Sequence, residues 1–257
     1  GWVEEEIWYI DRLEPGQSIS LKIKELRFPF EKLFGITEEV SHDLSFIVLD
    51  EGQKILAEKH KKIHVLPANY WGGEERQPAL LAAFVKPNGL YVESLIRQVA
   101  IVLEQGGFGR SVDGYQSNTR EKPYVMLAAL WNVVFKEKLA YVSPPQGFAT
   151  SGQRIRLAAD ISHSRMAACL DSSLLFASCI EAMGLNPVVA VTKGHAFAGA
   201  WLIDEKLPIL TNDDPQDIRK RIDNRDLVLF ETTLVTNDSL VTFEQAKDHA
   251  RDLLSEE

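Results

Sequence analysis

The sequence predicts an α+β protein in two parts: a small β-sandwich over residues 1–75 and a larger α+β domain over 76–257. Three observations lead there. Before residue 70, short runs alternate apolar with polar side chains, the period of half-buried strands. After Trp71, Gly72 and Gly73 the apolar period lengthens to that of helices. Between residues 166 and 235, one apolar helix is followed by three strand-like runs.

In the first part, Ile19, Leu21 and Ile23 alternate with Ser18, Ser20, Lys22 and Lys24, which predicts a strand. Leu44–Leu49, a turn at Asp50–Gln53 containing Gly52, and Lys54–Ala57 read as a hairpin. A further strand over Lys62–Leu66 ends at Pro67. Short strands at this spacing suggest a sandwich. In the second part, Leu95, Ile96, Val99, Val102 and Leu103 form a helical stripe over Leu90–Gln105, closed by Gly106 and Gly107. A second helix is expected over Tyr124–Phe135, and a turn-rich stretch over Tyr141–Ser164. No internal repeat or low-complexity tract is present.

Composition narrows the function. The chain has 257 residues, 45% hydrophobic and 25% charged, ordinary for a globular protein. No apolar run approaches the roughly 18 residues of a membrane span, so no membrane association is expected. The first residues show no basic region followed by an apolar stretch, so no secretory signal is expected. The start at Gly1 without Met and the helical pattern at the end suggest a piece of a longer protein. A net charge of −9 argues against this segment binding nucleic acid directly. The stretch from Asn212 to Asp226 mixes acids with Arg219, Lys220, Arg221 and Arg225, and reads as a solvated loop and short helix.

There are two cysteines, Cys169 and Cys179. Ten residues of one helix separate them by about 15 Å, beyond the roughly 7 Å that a disulfide spans. Both are expected as free thiols, which fits a cytoplasmic location. The helix carrying them has Leu170, Leu174, Phe176, Ile180 and Met183 for the core, with Gly184 and Pro187 as stop signals. Ser162 and Ser164 are candidate N-caps. Cys169 then falls in or near the first turn, where unpaired N–H groups and the positive dipole end favour a thiolate and an oxyanion. Cys179 reads as a buried structural thiol.

Val188–Thr192 is a buried strand, Lys193 and Gly194 turn the chain, and His195 opens a mostly apolar strand with Phe197, Gly199 and Trp201. A third strand over Leu227–Leu234 sets Glu231 among apolar neighbours, where a carboxylate needs a partner. Taken singly, His195 reads as a structural histidine and Glu231 as half of an ion pair. Their conjunction with Cys169 points to a nucleophile, a base and an orienting acid. Gln153 is a candidate oxyanion donor, and equally a residue that fixes its loop by hydrogen bonding. The histidines lack ligand spacing, so no metal is expected, and the chemistry needs no organic cofactor.

These elements resemble the transglutaminase-like family, whose motif has a Cys opening a helix, a His followed two positions later by an aromatic, and an acid before Thr. Here they read Cys169, His195 with Phe197, and Glu231 with Thr232. The resemblance spans about Ser151 to Val235. It implies a circularly permuted papain-like fold, with the Cys-bearing helix packed on an antiparallel sheet, and a Cys-His-Glu triad. Two positions depart from the motif: Ala168 stands where Gly is frequent, and Glu231 where Asp is usual.

A longer set of segments, Leu80–Val85, Gly114–Gln116, Gly152–Arg156, Cys169–Asp171 and Gly194–Phe197, is similar to the N-terminal region of very large bacterial proteins with a superfamily 1 helicase core. That likeness implies a parent acting on nucleic acid, with anti-phage defence as one setting, and other domains of the same chain as partners. The function expected is a cysteine-dependent hydrolase or acyl transferase, of the peptidase or amidase kind, acting on a peptide or protein. The alternative is a catalytically inactive recognition or regulatory module.

Overall fold

The computed structural model describes residues 2–22, 27–75, 77–147 and 151–255. The chain divides into two units, Gly1–Tyr70 and Trp71–Glu257, and is a mixture of helix and strand.

The first unit holds a short helix, Phe30–Phe34, and one antiparallel ribbon of Val40–Leu49 on Ile55–Val65. Its turn is closed by Asp50, whose carboxylate accepts from the N–H groups of Gly52 at 2.8 Å and Lys54 at 2.9 Å. The left-handed residue of that turn is Gln53, not Gly52. The strands expected at Lys54–Ala57 and Lys62–Leu66 are one continuous strand, because Glu58, Lys59, His60 and Lys61 contain no breaker and pair in register with Ser45–Ile47 and Leu44.

No strand forms over residues 18–22, and Ile23 and Lys24, the rest of that expectation, lie outside the described residues. Among the described residues this unit has one two-stranded sheet, so the expected sandwich is not formed by them. Phe46 and Val48 on one face of the ribbon and Ile47 and Leu49 on the other are all exposed. A second sheet would have buried one of those faces.

The second unit is built around a helix with no exposed residue from Cys169 to Ile180. It lies on a three-stranded antiparallel sheet of Pro187–Thr192, His195–Trp201 and Leu227–Phe230, with the His195 strand in the middle. Helices Leu90–Gln105 and Glu121–Lys136 pack on the other side of the core. The first matches its expected bounds and buries Val92, Leu95, Val99 and Leu103. The second starts three residues earlier than its pattern suggested, because Pro123 fits inside the first helical turn, where its missing N–H costs nothing.

The core closes on four aromatic rings. Trp131 stacks on Phe176 at 5.9 Å, Phe176 meets Phe230 edge-on at 5.1 Å, and Phe230 meets Phe243 at 5.2 Å. The Trp131 indole N–H donates to the Val241 carbonyl at 2.9 Å, so the ring is buried without an orphaned donor. No helix among the described residues is long and apolar enough to cross a membrane.

The sheet's tightest point is Gly199, where a Cβ would stand 2.2 Å from the Val228 carbonyl oxygen. A methyl group there would push the Leu227–Phe230 strand off its neighbour. Gly199→Ala is expected to cost about 3 kcal/mol, as overpacking against backbone does. The urea unfolding midpoint measures it, and an unchanged midpoint would show that the strands can separate freely.

Candidate active site

The 169–182 helix starts at Cys169, with Ala168 as an extended N-cap residue that has no side-chain acceptor. Ser162 and Ser164, the expected caps, belong instead to a separate short helix, Ala158–Ser164, which ends at Arg165 in the left-handed region. The helix start is held by Asp171. Its buried carboxylate accepts from the Ala168 N–H at 2.9 Å, the Arg156 N–H at 2.8 Å and the Arg156 guanidinium at 3.1 Å. Burial raises the Asp171 carboxyl, opposed by those hydrogen bonds from Ala168 and Arg156. Asp171 went unassigned in the sequence reading, although an acid at the third helical position is a known start signal.

His195 follows Gly194, which takes a φ of 82° and lets Lys193 and Gly194 close the hairpin between Thr192 and His195. Its side chain keeps 24% of its surface exposed. Glu231 was expected in mid-strand. The strand ends at Phe230, and Glu231 caps the 3-10 turn Thr232–Thr236. Its Oε1 accepts from the Thr233 N–H at 2.7 Å and hydroxyl at 2.6 Å, which turns the chain out of the sheet. The Glu231 N–H donates to the Ala246 carbonyl at 2.9 Å.

The remaining carboxylate oxygen, Oε2, lies 2.5 Å from His195 Nε2. Cys169 also acts on the ring, and with Nε2 engaged, Nδ1 is the nitrogen left to it. Hydrogen bonding to Cys169 first, and to Glu231 second, raises the imidazole from 6.5 to about 10 against the effect of burial. Burial pushes the Glu231 carboxyl up, but the bonds from His195 and Thr233 together bring it below its ordinary value. The two directions agree on an imidazolium–carboxylate pair.

Cys169 is fully buried, among Ile155, Leu170, Leu174 and Ala196. Cys179 is also buried and free, and burial alone pushes its thiol up. Gln153 is 3% exposed, and neither atom of its amide has a hydrogen-bond partner. It follows Gly152, where a Cβ would stand 2.0 Å from the Trp71 carbonyl oxygen. Tyr141 was missed. It sits on a two-residue strand parallel to Met166–Ala167. Its hydroxyl is pushed up by burial and then by the charges of Cys169 and Glu231. No local sequence signal marks it, because only the pairing of Ala140–Tyr141 with Met166–Ala167 brings it there.

No protein-family profile and no curated protein matches the chain. Among solved structures, the chain is similar to a "putative protease" from Parabacteroides distasonis. The two are 12% identical with a TM-score of 0.29, over 80% of this chain and 42% of the other. At that score a shared fold is not demonstrated.

A raised imidazole has a direct thermodynamic consequence. Its contacts stabilise the fold fully below 6.5, and that contribution is lost as pH rises through about 10. Urea titrations from about pH 6 to about pH 11 are expected to show the decline, and Glu231→Gln to flatten it. An equal decline in the variant would assign the slope to other groups.

Proposed function

We propose that the second unit is a transglutaminase-like domain of papain-like fold that performs cysteine-dependent acyl chemistry, with Cys169 as nucleophile, His195 as base and Glu231 as orienting acid. The observation that carries this reading is the 2.5 Å contact of Glu231 Oε2 with His195 Nε2, on a ring that Cys169 also acts on. A carboxylate on one nitrogen fixes the tautomer and supports the charge that forms when the thiol gives its proton to the other.

In the proposed reaction, Sγ bonds to an amide carbonyl carbon and the carbonyl electron pair moves to oxygen. The Cys169 N–H, at the helix start, and the Gln153 amide serve as donors to that oxyanion. The orphaned amide of Gln153 supports the role, since a buried amide without a partner is costly unless something occupies it. Collapse breaks the C–N bond, and the leaving amine takes the imidazolium proton. Water or a second amine then attacks the thioester, passes its proton to His195, and releases the thiolate. The substrate class is a peptide or protein, and no metal or organic cofactor enters. The longer sequence resemblance supports a place within a bacterial helicase-related chain, in anti-phage defence. Two unbridged thiols suit a reducing cytoplasm.

One observation favours a second reading. Cys169 has no exposed surface, as a recognition module that keeps the constellation without turnover would allow. Iodoacetamide labelling at neutral pH with peptide mapping separates the two. Cys169 is expected to label first and Cys179 to stay inert, because His195 can take the proton of Cys169 while burial alone acts on Cys179 and pushes its thiol up. Preferential modification of Cys179 would remove Cys169 as nucleophile.

Cys169→Ser in the parent protein extends the test to function. It changes sulfur to oxygen with little effect on packing, and the hydroxyl is a far weaker nucleophile. Activity in cells is expected to be lost with folding intact. Full activity would favour the recognition module.

A further inference from the structure

Three hydroxyls outside the thiol, imidazole and carboxylate lie buried between the two ends of the site. Ser172 and Ser173, in the first turn of the Cys169 helix, donate to the Cys169 carbonyl oxygen at 3.0 and 2.7 Å. Thr232 Oγ1 lies 2.9 Å from Ser172 Oγ and 3.0 Å from Ser173 Oγ. None of the three residues is more than 1% exposed. Each hydroxyl brings one proton, so three protons serve these four contacts and the network holds together only by sharing.

Thr232 is the residue after Glu231. The first two threonines of this turn face different partners: Thr233 bonds the Glu231 carboxylate, and Thr232 bonds the helix. The path from nucleophile to acid is therefore short. It runs from the Cys169 carbonyl through two serine hydroxyls and Thr232 Oγ1 into the backbone that carries Glu231. A contact of 2.5 Å between charged partners weakens steeply as its geometry opens. A small slide of the 3-10 turn along the helix would thus reach His195.

We propose that Thr232 is a positioning residue, whose hydroxyl, clasped by Ser172 and Ser173, sets Glu231 against the Cys169 helix and so keeps the carboxylate on His195. This rests on the acyl-transfer reading of Cys169, His195 and Glu231. A competing account makes Thr232 plain core filling, with Glu231 held by its own N–H on the Ala246 carbonyl. The two accounts predict opposite results for two substitutions. Thr232→Val keeps the shape and removes the hydroxyl, whereas Thr232→Ser keeps the hydroxyl and removes a methyl group.

The readout is the titration of the His195 ring by NMR, its resonance identified by loss in His195→Gln, alongside the rate of Cys169 alkylation by iodoacetamide. The titratable groups that act on the ring are Cys169 from the helix and Glu231 from the sheet end, and both stay in both variants. Thr232→Val is expected to lower the His195 midpoint by about one pH unit and slow alkylation about tenfold. Thr232→Ser is expected to behave as the parent sequence does. A parental midpoint in Thr232→Val, or an equal shift in Thr232→Ser, overturns the proposal. If Thr232→Val does not fold, the doubly substituted Ser172→Ala, Ser173→Ala protein takes its place with the same expectation. A chain whose Cys169 does not label ahead of Cys179 would defeat the acyl-transfer reading, while the His195 midpoints still decide the role of Thr232.

Discussion

A helix with no exposed face from Cys169 to Ile180 cannot leave its first N–H groups to water. That constraint shapes the whole second unit. Ala168 offers no side-chain acceptor, so the chain supplies one from within, the carboxylate of Asp171. The same carboxylate binds both the backbone and the guanidinium of Arg156. One buried charge thereby fixes the helix start and the segment at Arg156, three residues after Gln153. Removing either partner of such a pair is costly, because the other is left charged in the interior. The Cys169 end of the helix is consequently the most constrained part of it.

Much of the second unit could be read from local pattern. The helix opening near Cys169 followed from apolar spacing and the stop signals at Gly184 and Pro187. The turn into His195 followed from Gly194, which takes the left-handed φ that its hairpin requires. What escaped reading depends on contacts distant in sequence. Tyr141 reaches the site only through strand pairing, and Thr232 meets Ser172 across 60 positions. Glu231 was misplaced within its strand because apolar composition continues past Phe230, while hydrogen bonds from Thr233 turn the backbone. The first unit misled for another reason. An apolar run beside a turn fits a two-stranded ribbon whether or not a second layer covers it.

The glutamate at position 231, where the resembled motif has aspartate, acquires a rationale from this turn. Its carboxylate works in two directions, capping the 3-10 turn through Oε1 and meeting the imidazole through Oε2. The extra methylene lets one side chain span both tasks from a position outside the strand. Because each oxygen is committed, rotation about the terminal bond would break two interactions together, which holds the acid in a single orientation.

The ribbon of the first unit raises a question of colloidal behaviour. With two strands, each has one edge whose backbone groups can pair with another chain, and apolar side chains lie on both faces near the tip. Such a segment is a template for self-association. The ribbon's own sequence counters that tendency. Lys59 faces Phe46 and Lys61 faces Leu44, so charge sits across from two of the apolar residues on that face. A second copy adding edge to edge would bring these lysines close to their counterparts. Their contribution is solubility more than stability, and high salt, which screens like charges, would weaken it.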